Sequence, residues 1–127
     1  KYWLKGDKAG TSEIFIENLP GFPDNVSSNE EGIFWVALFN PRNNFVEMSS
    51  NKPFLRKMVL RLPESLQPQP LNHSYVLGIG EDGKVVHNLQ YQADEAYSPI
   101  TSVKQYESDL YFGSLTHTGW GKIEAPK

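Results

Sequence analysis

The stretch Ile33-Phe34-Trp35-Val36-Ala37-Leu38-Phe39 decides the fold class, because seven apolar residues in a row leave no polar face. At strand period, Ile33, Trp35, Ala37 and Phe39 point one way and Phe34, Val36 and Leu38 the other, which predicts a strand buried on both sides. Asp109 to Leu115 repeats the style, with Leu110 and Phe112 opposed to Tyr111 and Leu115, and Gly113 as a thin spot. Glu13-Ile14-Phe15-Ile16-Glu17 and Lys84-Val85-Val86-His87-Asn88 mix apolar with charged or polar positions, as edge strands do. An all-β chain follows, with inner strands near residues 33–39 and 109–115 and outer ones near 12–18 and 84–90.

These pieces form a weak repeat of outer strand, polar loop and aromatic-rich inner strand. Leu89 lies 70 residues after Leu19, and Tyr111 lies 76 after Trp35. That spacing exceeds the roughly 40 to 50 residues of a compact propeller blade, so an insertion is expected. It contains Asn51-Lys52-Pro53-Phe54-Leu55-Arg56-Lys57-Met58-Val59-Leu60-Arg61-Leu62, where Pro53 suits a first helical turn and Phe54, Met58 and Leu62 recur every fourth residue. A short helix ending before Pro63 is predicted, with a strand over 56–62 as the alternative. Pro68 and Pro70 make residues 66–70 a linker.

The heptapeptide Leu19-Pro20-Gly21-Phe22-Pro23-Asp24-Asn25 sets a carboxylate beside an amide oxygen just after two turn-forming prolines. Hard oxygen ligands of this kind suit Ca²⁺ at a strand entrance, and the same dipeptide also suits a plain turn. Asn25-Val26-Ser27 and Asn72-His73-Ser74 are N-glycosylation sequons, of which a ligand role at Asn25 would exclude the first. His87 reads as a surface residue of an outer strand. His117, after an inner strand, is the candidate base, since an imidazole of ordinary pKa ~6.5 can take a proton. Asp94-Glu95 reads as a solvated turn. No Gly-x-Ser-x-Gly elbow is present, which argues against an α/β-type serine hydrolase.

Tyr2-Trp3-Leu4-Lys5-Gly6, Lys8-Ala9-Gly10-Thr11-Ser12-Glu13 and the heptapeptide, followed by Gly32 to Leu38, Gly80-Glu81-Asp82-Gly83-Lys84-Val85-Val86, Ser98-Pro99-Ile100-Thr101-Ser102-Val103 and Leu110-Tyr111-Phe112-Gly113-Ser114-Leu115, together resemble the strictosidine synthase-like family. The resemblance covers most of the chain, loosely between about residues 41 and 73. It implies a six-bladed β-propeller, of which residues 1–127 would be the C-terminal portion: about one complete blade, parts of two neighbours and one short helical insertion. Residues 1–5 read as an outer strand without an initiator Met, so an N-terminal half is expected upstream. By resemblance Asp24 and Asn25 match a metal-binding loop at the central channel, with Ca²⁺ or another divalent cation as cofactor and further ligands upstream. The resemblance also places the catalytic glutamate of true strictosidine synthases at Thr101, and Thr cannot serve as that carboxylate. Amine–aldehyde condensation is therefore not expected. A metal-dependent hydrolase of small esters or lactones is the expected activity of the complete protein, with a non-catalytic binding propeller as the alternative.

Composition bounds the partners. A net charge of −3 argues against a phosphate-tracking nucleic-acid surface, and the run 33–39 is far shorter than the roughly 20 residues that cross a bilayer. The absence of Cys excludes disulfides and thiolate metal sites. The apolar faces of 33–39 and 109–115 are expected to need cover from further propeller residues or another copy.

Overall fold

The computed structural model of the chain describes residues 1–42, 48, 50–66 and 72–127. Among them, seven strands build two antiparallel sheets. β1 (Gly21–Ser28), β2 (Ile33–Pro41), β3 (His73–Gly80) and β4 (Val85–Gln92) lie side by side in that order, while β5 (Ser102–Tyr106), β6 (Asp109–Gly113) and β7 (Gly121–Glu124) form the second sheet. A helix, α1 (Pro53–Leu60), lies in the connection between β2 and β3.

β2 is flanked by strands on both edges and buried on both faces, as its unbroken apolar run requires. One face gives Trp35 and Ala37 to a core completed by Val76 of β3, by Ile100 just before β5, and by Val103, Leu110 and Phe112 from the second sheet. The other gives Val36 and Leu38, which pack with Tyr75, Leu77 and Ile79 beneath Phe15, Ile16 and Leu19 of the N-terminal segment. The two sheets thus cover each other, and the expectation of open apolar faces is corrected for the Trp35 side of β2 and for Leu110 and Phe112 of β6. On the Val36 side a groove of about 680 Å³ stays open, lined by Phe15, Pro23, Val26, Phe34 and Ile79 among others.

A missing side chain lets the Trp35 ring lie flat in the first core. Trp35, Gly78 and His87 are lateral neighbours on β2, β3 and β4. The indole crosses Gly78 to stack on His87, with centroids 5.4 Å apart and planes at 20°. His87 is therefore half-buried, not the plain surface residue its outer-strand position implies.

Three expectations need correction. Residues 12–18 do not form a strand: only Ser12 bridges to Tyr2, and 13–19 run over the Val36 core without pairing. Residues 1–5 likewise contribute that single bridge at Tyr2. The inner strands expected near 33–39 and 109–115 are β2 and β6, each flanked by a strand on both sides, and the strands that face each other across the two sheets are β1 and β5. β1 stands in place of the turn expected at Asp24-Asn25, although Pro, Gly, Asn and Ser disfavour strands. Its place at a sheet edge tolerates Pro23.

α1 opens on Pro53, whose absent N–H costs nothing in a first turn. It ends with the Arg61 N–H donating to the Met58 carbonyl at 3.2 Å, two residues before Pro63, so the strand alternative over 56–62 falls. Leu66 closes a 3₁₀ turn, Glu64–Leu66. The rest of the linker expected over 66–70 lies outside the described residues.

A Cβ at Gly78 would sit 2.9 Å from the Trp35 ring and 3.0 Å from that of His87. Gly78→Ala should therefore destabilise the chain by about 1–3 kcal/mol through overpacking, and urea unfolding followed by Trp fluorescence measures it. An unchanged midpoint would show that the stack moves aside freely.

Candidate functional site

The register between β1 and β2 places Asp24 and Asn25. Pro23 pairs with Leu38 and Val26 with Val36, so three steps along β1 match two along β2 and the surplus residue is a β-bulge at 24–25. A bulge re-aims side chains that a regular strand would alternate. The expected strand entrance is thus corrected to a kink inside the edge strand.

Asn25 turns toward the second sheet, where its Nδ2 donates to the Thr101 carbonyl at 2.8 Å. A carbonyl only accepts, so this bond fixes which end of the amide is nitrogen and leaves Oδ1 as a remaining acceptor. Asp24 is exposed and makes no hydrogen bond or ion pair among the described residues. The bulge therefore offers a carboxylate and an amide oxygen from consecutive residues, both hard ligands. Two side chains fall short of the roughly six to eight oxygens of a Ca²⁺ shell, and among the described residues no three His, Asp or Glu side chains cluster as metal ligands.

The same bonding pattern continues down the strand. Ser27 Oγ donates to the Val103 carbonyl at 2.7 Å, and Asn29 Nδ2 to Gln105 Oε1 at 3.2 Å, each partner 76 residues further on. Gln105 Oε1 also accepts from Trp35 Nε1 at 2.7 Å, and Lys104 Nζ returns a bond to the Ser28 carbonyl at 3.0 Å. Partner numbers rise together, so β1 and β5 run parallel, joined by side chains in place of a backbone ladder. Sequence reasoning missed this seam. Its signal was the polar stripe Asn25, Ser27, Asn29 at strand period, together with the 76-residue offset already visible between Trp35 and Tyr111.

Because β1 and β5 are parallel, the starts of β1, β3 and β5 and the ends of β2, β4 and β6 share one end of the molecule. That end carries the bulge, the β2–β3 connection, the turn before β5 and the loop of residues 114–120. Thr101 is buried there, its N–H and hydroxyl both directed to the Gly113 carbonyl at 2.9 and 3.3 Å. His117 lies in the 114–120 loop, stacked on Tyr97 at 4.6 Å, and its Nε2 reaches the Ser98 carbonyl at 3.2 Å. Nε2 must donate to that oxygen, which leaves Nδ1 as the ring's acceptor.

The expected turn at Asp94-Glu95 is present and exposed. Tyr91 donates its hydroxyl to Glu95 at 2.6 Å and holds that carboxyl below its usual range. Of the sequon asparagines, Asn72 is exposed, with Nδ2 reaching the Asp94 carbonyl at 3.3 Å, and Asn25 is engaged in the seam.

No protein-family model matches the chain. It is similar to strictosidine synthase-like 3 of Arabidopsis thaliana, 38% identical over 91% of this chain, and to strictosidine synthase-like 10 of the same plant, 36% identical over 91%. Bovine adipocyte plasma membrane-associated protein is 28% identical over the same share. The chain spans 31%, 32% and 29% of the lengths of these three relatives.

Asn25→Asp would set a carboxylate against the Thr101 carbonyl. It should cost about 1–3 kcal/mol where the new group is ionised. The repulsion raises that group's folded-state pKa, so the variant should lose stability relative to the parent as pH rises through the carboxylate range. Denaturation at paired pH values checks this, and a penalty independent of pH would contradict it.

Proposed function

Starting from a chain homologous to strictosidine synthase-like proteins and to adipocyte plasma membrane-associated protein, we propose that it is part of a six-bladed β-propeller in which Asp24 and Asn25 hold a divalent cation, Ca²⁺ by resemblance, and that the complete protein hydrolyses small esters or lactones. The observation that carries this reading is the bulge. It leaves the Asp24 carboxylate without a partner among the described residues, while the bond to Thr101 points the Asn25 amide so that its oxygen is spare.

A cation held there would polarise a substrate carbonyl and stabilise its developing oxyanion. The chain's own residues do the positioning. Asn25 is fixed by Thr101, and Thr101 is fixed by Gly113. His117, held by Ser98 and Tyr97, keeps Nδ1 for a proton from water or substrate. Thr101 spends its hydroxyl on the Gly113 carbonyl and carries no carboxylate, which supports the reading against amine–aldehyde condensation. The groove beside Val26 and Phe34 is where further propeller residues, or another copy, would pack.

Two measurements test this. In the full-length protein, Asp24→Ala should lower Ca²⁺ affinity in a calorimetric titration and lower aryl-ester turnover by tenfold or more, on the order of 1.4 kcal/mol, whereas Asp94→Ala should leave both near the parent values. Equal Ca²⁺ binding by parent and Asp24→Ala would remove Asp24 from the site, and turnover indifferent to chelation would remove the metal from the reaction. In the isolated chain, Val26→Lys should reduce concentration-dependent association in sedimentation velocity; a parent chain that stays monomeric at every concentration would contradict cover by another copy.

A further inference from the structure

We propose that α1 lies flat on an anionic lipid surface. Phe54 and Met58, one turn apart on α1, are 78% and 54% exposed, while Leu55 and Val59 on the adjoining face are half-buried. Lys57, between the outward pair in sequence, and Arg61, three residues after Met58, are also exposed. A surface helix of a water-facing domain buries its apolar stripe and shows its charges. Here both are presented together.

That pairing is the chemistry of an interfacial helix, in which apolar groups enter the acyl boundary and cationic heads stay at headgroup depth. Residues 51–62 carry Lys52, Arg56, Lys57 and Arg61 and no carboxylate, in a chain whose overall charge is −3. The cationic character is therefore local to this segment.

A second element supports a flat partner. The loop 114–120 belongs to the same end of the two sheets and exposes Leu115 and Trp120, 79% and 67% accessible. Trp is favoured at membrane interfaces, where its ring is apolar and its N–H is wet. Apolar side chains from two separate segments at one end suit a plane better than a single groove. Asp24, Asp94 and Glu95 share this end, so attraction must come from the helix and depend on salt and on anionic lipid. No helix among the described residues is long and apolar enough to cross a membrane; the contact is a surface one. It goes beyond the hydrolase reading and is read without any activity.

Flotation of the 127-residue chain with vesicles tests it, using phosphatidylcholine alone or mixed with phosphatidylserine, at low and high salt. The parent should float with the phosphatidylserine vesicles at low salt and be released at high salt. Lys57→Glu with Arg61→Glu should weaken binding at least about tenfold, and Phe54→Asp with Met58→Asp should abolish it. Trp120→Ser should weaken it without touching the helix, and circular dichroism melts should match the parent for all variants. Failure of the parent to float, or equal flotation of the charge-reversed variant, would overturn the proposal. So would a Phe54→Asp, Met58→Asp variant that floats normally but changes the sedimentation coefficient, because the helix would then cover a second copy.

Discussion

The parallel seam between β1 and β5 is the constraint on which the remaining structure depends. An edge strand of one sheet meets an edge strand of another, and each carries carbonyls that its own ladder does not use. Asn25 and Ser27 answer two of them with side-chain donors, and Asn29 meets the Gln105 amide. Such bonds contribute about 0.5–1.5 kcal/mol each, but an unsatisfied buried carbonyl costs more than a made bond gains. The seam therefore acts mainly on specificity: it fixes the register of one sheet on the other so that Trp35 and Ala37 meet Val103, Leu110 and Phe112.

Asn29 shows how closely local and tertiary order are joined. Its Oδ1 accepts from the Glu31 and Ile33 N–H groups, both at 2.9 Å, and so closes the β1–β2 hairpin through the left-handed residues Glu30 and Gly32. Its Nδ2 meanwhile joins the seam. At the other end of β1, the bulge breaks alternation so that Asn25 stays in the seam while Asp24 is exposed, without a hydrogen bond or ion pair among the described residues. The candidate site is thus a local defect in an element whose position is held tightly below it.

Where apolar pattern carries the information, the fold was legible in sequence. β2 and β6 stood out by their apolar residues, β4 by its mixed faces, and α1 by Pro53 and the four-residue recurrence of Phe54 and Met58. β1 was illegible, because its Pro, Gly, Asn and Ser content opposes strand formation locally and makes sense only once β5 supplies carbonyls. The reverse error occurred at 12–18, where strand-like residues cover a core without pairing. Of the site, the adjacency of Asp24 and Asn25 was visible; the bulge that separates their roles was not, since register is a property of two strands.

The proposed cation site rests on one amide orientation. If Asn25 gives its nitrogen to Thr101, its oxygen is spare beside Asp24, and the strand that carries both is held in register with β5. Scalar coupling across that hydrogen bond, between Asn25 Nδ2 and the Thr101 carbonyl carbon, reads the orientation directly by NMR. The account predicts a detectable coupling and slow exchange of the Asn25 side-chain amide protons, and a chain without that coupling whose Asn25 amide exchanges at the rate of a free side chain would contradict it.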